Sequence, residues 1–261
     1  MNHEELDQGL TKLGLYYLKN NLNDFVANAV KQRWGSQQVI EGMVRSELQE
    51  LYRRNVERRI ASAKLGKFKP LSEFDWTWPR RIDRDCIETL MKSDFVREQS
   101  NAVLFGPSGC GKTMIAKNIA YSAVMNGYSA LCIDAFEMLT DLEQQESSRT
   151  LKLKLAKYIK PKLLVIDELG YLSYSTKAAD LLFRVITGRY QTGSTVLTTN
   201  VPFKDWATIF PNASCLSAMV DRLMHKADIT TIEADSYRQK EATDRRAARK
   251  SNALPKENKK K

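Results

Sequence analysis

Residues 106–113 read Gly-Pro-Ser-Gly-Cys-Gly-Lys-Thr, with the apolar run NAVLF (101–105) directly before them and helical apolar spacing from Met114 directly after. A strand must deliver the chain into a glycine-built turn, and a helix must begin where that turn ends, so a βα unit is demanded at this point. Glycine lets the backbone curl with its N–H groups pointing inward, and the helix starting near Gly111 adds the positive end of its dipole. Such a concavity takes phosphate. Gly106, Pro107, Ser108, Gly109, Cys110 and Gly111 are expected to wrap it. Lys112 is expected to reach the β- and γ-phosphates of a nucleotide, and the Thr113 hydroxyl to bind Mg2+.

The rest of the chain supports that unit. From about residue 85 the pattern alternates between strands (Ala130–Ile133, Lys162–Ile166, Ser194–Thr198) and helices (Met114–Met125, Ala178–Thr187). The fold class implied is α/β, a parallel sheet flanked by helices. The run LLVIDE places Asp167 and Glu168 at the tip of a buried strand. Asp167 is expected to hold the magnesium shell, and Glu168 to polarise an attacking water. A D-E pair is an ordinary strand end when it stands alone, but it is strong when paired with the phosphate loop. The run STVLTTN ends in Asn200, either a turn Asn before Pro202 or a side chain beside the γ-phosphate that orients the water.

Ahead of this domain lies a small helical one over residues 1–65. Leu6, Leu10, Leu13 and Tyr17 recur at helical steps, and Asn20, Asn21 and Asn23 mark a break. A second helix opens at Ser36 and carries Ile40, Met43, Val44, Leu48, Leu51, Tyr52, Val56 and Ile60 down one face until Gly66. Its other face bears Arg53, Arg54, Arg58 and Arg59, either a DNA contact or a solvated face partly neutralised by Glu47, Glu50 and Glu57. Residues 66–84, with two prolines, Phe74, Trp76 and Trp78, form a linker that docks on the next domain. The nucleotide domain spans 85–240, and 241–261 is a basic, disordered tail.

A formal net charge of +10 suits a polyanionic partner, nucleic acid first, although surplus Lys and Arg also serve solubility. The four cysteines form no C-x-x-C pair, which speaks against zinc and against a disulfide framework. No apolar run approaches the length of a membrane span and the first ten residues lack a signal core, so a cytoplasmic location with no membrane partner is expected.

The string IDELGYLSYSTKAADLLFRVITGRYQTGSTVLTTNVPFKDW, the later DRLMH and SYR, and FDWTWP ahead of the phosphate loop resemble the IstB-like ATP-binding proteins of IS21-family insertion sequences, relatives of the helicase loader DnaC and the initiator DnaA. The resemblance covers about residues 5–240. It implies an AAA+ fold that binds ATP and Mg2+, with Asp167 and Glu168 as Walker B acids and Asn200 as sensor 1. It also implies Arg222 as an arginine finger acting in a neighbouring subunit, hence a homo-oligomer with ATP sites at its interfaces; pairing of Arg222 with Asp221 is the alternative. Arg238 is a candidate sensor 2. The chain offers no triad of magnesium-binding acids for strand transfer, so the resemblance implies a regulator that assembles on double-stranded DNA and assists a separate IS21-type DDE transposase. A DnaC-like helicase loader is the alternative.

Overall fold

A computed structural model of the protein describes residues 2–253. The chain divides into two compact units, the first ending at Arg59 and the second beginning at Ile60.

In the first unit, α1 (His3–Leu13) opens with a capping box between Asn2 and Glu5 and closes on Gly14 at φ 73. A second interruption falls among the asparagines expected to mark a break: inside α2 (Tyr16–Lys31) Asn21 leaves helical geometry at φ −133 and kinks the chain. No side chain of its own caps α2. Glu47, from α3 (Ser36–Ala63), accepts the N–H groups of Tyr17 and Leu18 at 3.2 and 2.8 Å. A carboxylate on a helix N-terminus is favourable, which explains why Glu47 caps α2 rather than neutralising the arginines. Leu10, Leu18 and Phe25 form the small core, with the Trp34 ring edge-on to Phe25 at 5.9 Å. On the apolar face of α3 Val56 is buried, whereas Ile40, Val44, Leu48 and Leu51 are about half to two-thirds exposed.

In the second unit, after the last turn of α3 and the segment 64–83, come α4 (Arg84–Met91) and the single turn α5 (Asp94–Arg97). Then come β1 (Asn101–Phe105), α6 (Lys112–Met125), β2 (Ala130–Asp134), α7 (Ala135–Glu143), α8 (Ser148–Ile159), β3 (Leu163–Leu169), α9 (Thr176–Arg189) and β4 (Ser194–Thr199). The short α10 (Trp206–Ile209), α11 (Leu216–Met224), β5 (Ala227–Thr231) and α12 (Tyr237–Ala253) complete it. The five strands form one parallel sheet in the order β2-β3-β4-β1-β5.

Strand alternation sends side chains to two cores. Val103, Leu131, Ile133, Leu164, Ile166 and Leu197 face α7, α8, α9 and α11. Ala102, Leu104, Cys132, Val165 and Val196 face α4 and α6. β4 lies between β1 and β3, so the ends of all three strands meet at the carboxyl edge of the sheet, where such folds place ligands.

β5 adds a strand that apolar density does not signal, since Asp228 and two threonines interrupt it and Ile229 is exposed on the edge. α12 runs on to Ala253, and residues 254–261 of the expected tail lie outside the described residues. Arg189, at the end of α9, is almost fully buried. Its guanidinium donates to the carbonyls of Tyr158, Ile159, Pro161, Lys162 and Ser194 and to Thr195 Oγ1. Burial pushes it down to about 9, still protonated at neutral pH. Among the described residues no helix is long and apolar enough to cross a membrane.

Candidate nucleotide site

At the end of β1 the backbone turns through Gly109 and Gly111 at φ 78 and 100, conformations in which a side chain is strained. A Cβ at Gly111 would lie 2.6 Å from the Phe74 ring, and one at Gly109 would lie 2.4 Å from Ser236 Oγ. Both glycines are therefore required by curvature and by neighbours. α6 starts at Lys112, so its free N–H groups face the turn. Lys112 is buried and its Nζ donates to the carbonyls of Gly106 and Pro107, both at 2.7 Å. Cys110 is buried too, and burial pushes its thiol up; its Sγ accepts from Lys112 Nζ at 4.0 Å.

Across from the loop, Thr113 Oγ1 donates to Asp167 Oδ1 at 3.1 Å. The ladder between β3 and β4 slips between Ile166 and Leu169, and Asp167 and Glu168 occupy that bulge. Glu168 stands at φ 61, a left-handed conformation that costs a non-glycine residue about 1 kcal/mol. Thr198, fully buried on β4, serves both acids: its Oγ1 donates to Asp167 Oδ1 at 2.5 Å and accepts the Glu168 N–H at 2.8 Å. Gly170 follows at φ 105, and a Cβ there would lie 2.9 Å from Val201 Cγ2 and 3.2 Å from Asn200 Oδ1. Asn200 Oδ1 is buried and has no hydrogen-bond partner among the described residues.

A cleft of about 340 Å³ opens over the loop. Gly109, Gly111, Lys112, Thr113 and Glu168 line its floor, and Lys67, Phe68, Phe74, Trp78, Tyr237 and Arg238 line its walls. The walls come from segments far apart in sequence that are tied to one another. Trp78 Nε1 donates to Asp235 O at 2.9 Å, Lys240 bridges to Asp75 at 3.1 Å, and the Tyr237 N–H donates to Gly109 O at 3.0 Å. Asn118 of α6 holds the 69–71 backbone by hydrogen bonds to Lys69 O and from Leu71 N–H.

Glycine N–H groups, a buried lysine and a hydroxyl beside a carboxylate are the groups that a nucleoside triphosphate with Mg2+ requires. The residues fit that group. Among the described residues there is no cluster of three or more His, Cys, Asp or Glu that could hold a metal ion.

Gly106 to Thr113, Asp167 and Glu168 thus lie together at the carboxyl edge of the sheet. Arg238 lines the same cleft. Arg222, on the last turn of α11, is not among the cleft's lining residues; its guanidinium lies 4.7 Å from the Phe183 ring centre and donates to Thr187 Oγ1. In the first unit Arg53 bridges to Glu50 at 2.7 Å and to Glu57 at 2.6 Å, and Arg54 lies over the Tyr16 ring at 4.0 Å and bridges to Glu50 at 3.5 Å. Arg58 donates only to Asn55, and Arg59 has no carboxylate partner among the described residues. The sequence reading overlooked Thr198, because a threonine in a strand reads as β-propensity, and it overlooked Tyr237 as a cleft wall, although the SYR string contains it.

The phosphate loop, the acid-bearing β3 and the intervening β4 agree with what comparison with known proteins finds. Solved structures share the fold: DnaI matches with a TM-score of 0.52 at 21% identity over 62% of this chain and 90% of that one. AMPPCP-bound DnaA from Aquifex aeolicus matches with a TM-score of 0.55 at 15% identity over 74% of this chain and 59% of that one. These neighbours share the fold of a parallel sheet flanked by helices. Among sequences, a protein of insertion sequence IS232 from Bacillus thuringiensis subsp. berliner is 32% identical, covering 92% of this chain and 96% of its own. The IS21 protein of Pseudomonas aeruginosa is 30% identical over 91% and 89%, and the IS5376 protein of Geobacillus stearothermophilus 33% over 76% and 79%. Each is named for ATP binding within its insertion sequence. The family model described as IstB-like ATP binding protein matches residues 8–245, and the chain belongs to that family.

Proposed function

We propose that this protein is an ATPase that assembles on double-stranded target DNA in its ATP state and recruits or stimulates a separate DDE transposase, with hydrolysis controlling disassembly. The observation that carries the reading is the Thr113–Asp167 contact at 3.1 Å with Glu168 next in the chain, in a protein whose relatives belong to insertion sequences. Lys112 exchanges its loop carbonyls for β- and γ-phosphate oxygens, and the N–H groups of the loop and of the first turn of α6 take the β-phosphate. Thr113 and Asp167 would hold Mg2+, which supplies neutralisation of the phosphate charge. Glu168 accepts the proton of the attacking water, and Asn200 orients that water. Arg222, away from its own cleft, serves a neighbouring subunit's site, which ties turnover to homo-oligomer formation. Basic side chains of the N-terminal unit contact DNA phosphates. This takes place in the bacterial cytoplasm.

The test is phosphate release with and without duplex DNA, alongside co-sedimentation of the protein with the duplex under ATP and ADP. Turnover that rises with DNA, and co-sedimentation favoured by ATP, are expected. ATP binding with no hydrolysis under any of these conditions would reduce the protein to a nucleotide-binding scaffold.

A further inference from the structure

We propose that Thr198 is a positioning residue whose single hydroxyl sets the orientation of both acids, Asp167 through its carboxylate and Glu168 through its backbone. The inference rests on the ATPase reading above for its effect on turnover, but not for its effect on the magnesium requirement.

Thr198 lies in a strand whose six residues are all buried, where valine has the same shape and buries no polar atom. A buried hydroxyl is tolerated only when it is hydrogen-bonded, and this one is bonded twice. The bulge explains why it is needed. Where the ladder slips between Ile166 and Leu169, the Glu168 N–H donates to a side chain, the Thr198 oxygen, at 2.8 Å. The left-handed φ of Glu168 is thereby held against its own preference, and φ decides where the carboxylate of this residue points. The same oxygen donates to Asp167 Oδ1 at 2.5 Å, which Thr113 also reaches at 3.1 Å. Thr113 is the side chain that would turn to a metal ion, and Thr198 is then the hydroxyl left to hold Asp167. A misplacement of about 1 Å in a reacting group costs on the order of 100-fold in rate, so a lost anchor of this kind is visible in turnover.

Thr198→Val removes the hydroxyl and keeps the shape; Thr198→Ser keeps the hydroxyl and loses the methyl; Thr198→Ala loses both. Two quantities are measured on the full chain: the Mg2+ concentration at which ATP binding is half-maximal, and kcat with KM for ATP in the presence of duplex DNA. Thr198→Val is expected to need roughly 3- to 10-fold more Mg2+ and to lose kcat by about 10- to 100-fold with KM little changed, and Thr198→Ser to recover most of both. If the valine variant does not fold, the serine and alanine variants, which differ only by the hydroxyl, make the same comparison. A Mg2+ requirement that is the same in the hydroxyl-less variants as in wild type, or a serine variant as impaired as alanine, overturns the proposal. Absence of turnover in the wild-type protein would instead sink the ATPase reading, and the Mg2+ titration would still decide the role of Thr198.

Discussion

Thr113 on the first turn of α6 donates to Asp167 at the tip of β3 across 3.1 Å, so two segments far apart in sequence share one hydrogen bond at the mouth of the cleft. The contact exists because β4 separates β1 from β3 and the loop after β1 reaches over it. Everything that touches phosphate in the proposed chemistry hangs from that junction.

Lys112 directly precedes Thr113 in the chain. Its ammonium is already desolvated and held by two carbonyls, so moving to phosphate exchanges neutral acceptors for charged ones. Lys112→Ala is expected to weaken ATP binding by about 2–4 kcal/mol, a factor of roughly 30 to 1000, measured by nucleotide titration. Glu168→Gln should leave ATP affinity near wild type while abolishing most turnover and prolonging the DNA-bound state. Near-normal ATP affinity in Lys112→Ala would remove the lysine from the site.

The parts of this site that were legible in the sequence are those whose chemistry demands a spacing. NAVLF followed by GPSGCGKT leaves one fold for its stretch of chain, and the run before Asp167 is too apolar to be anything but a buried strand. That β4 neighbours β3 agrees with the alternation of strands and helices, whereas a role for Asn200 belongs to the proposed chemistry. What escaped has physical reasons. β5 is an edge strand with one side in solvent, so its apolar signal is thin. The Ile40, Val44, Leu48 face looks like core by periodicity, yet those side chains are exposed, since spacing reports a face and not what covers it. Arg189 reads as a surface residue from its type, and only the carbonyls left over between α8, β3 and β4 explain its burial.

Arg189 is expected to matter for stability and not for chemistry. Arg189→Met would remove the guanidinium's hydrogen bonds to the carbonyls of Tyr158, Ile159, Pro161 and Ser194, at a cost of about 2–4 kcal/mol and a fall in Tm of roughly 5–15 °C. Arg189→Lys should not rescue, because one ammonium cannot span a fork's worth of acceptors. Thermal or urea unfolding checks this, and a lysine variant with wild-type Tm would show the fork to be dispensable.

Asp141 gives the fold an acid limit. Desolvation opposes its charge, but hydrogen bonds from Lys154, Tyr158 and Lys157 outweigh it and hold the carboxyl down to about 2. The folded pKa is below the ordinary carboxylate value, so the stability is present above about pH 4 and is lost as pH falls from there through about 2. With the group partly exposed, the contribution is about 1 kcal/mol after screening. Urea unfolding at pH 6 and at pH 3 should show Asp141→Asn destabilised at the first and closer to wild type at the second; an equal deficit at both would mean the charge is not what matters.

The arginines of α3 are not equivalent for DNA. Arg53 is clamped by Glu50 and Glu57, whereas Arg58 and Arg59 have no carboxylate beside them among the described residues. Replacing Arg58 and Arg59 together by Gln is expected to weaken binding to all duplexes alike and to lower the slope of log affinity against log salt by about 1 to 2; Arg53→Gln should change it less. Binding isotherms at several salt concentrations decide it, and a loss confined to particular sequences would contradict a phosphate contact.

Arg222 is the residue whose place in the fold most invites a mixing experiment. It lies on the last turn of α11, outside the residues that line its own cleft, with its guanidinium resting on Phe183 and donating to Thr187. These are weak neutral partners, and neither Asp221 nor any other described carboxylate is bridged to it, so little ties it to its own subunit. If it completes a neighbour's site, Arg222→Ala should bind ATP almost normally and lose turnover by about 10³-fold or more, as removal of an arginine finger does. Lys112→Ala fails for the opposite reason, with an empty cleft and an intact finger. Mixing the two inactive proteins creates some interfaces where an intact phosphate loop meets an intact Arg222, so a fraction of the activity should return. The gain should grow with total protein and with added duplex DNA, because only assembly brings subunits together. Were Arg222 to act within its own chain, or merely to brace α11 against α9, the mixture would stay inactive at every concentration, and turnover would no longer depend on a neighbour.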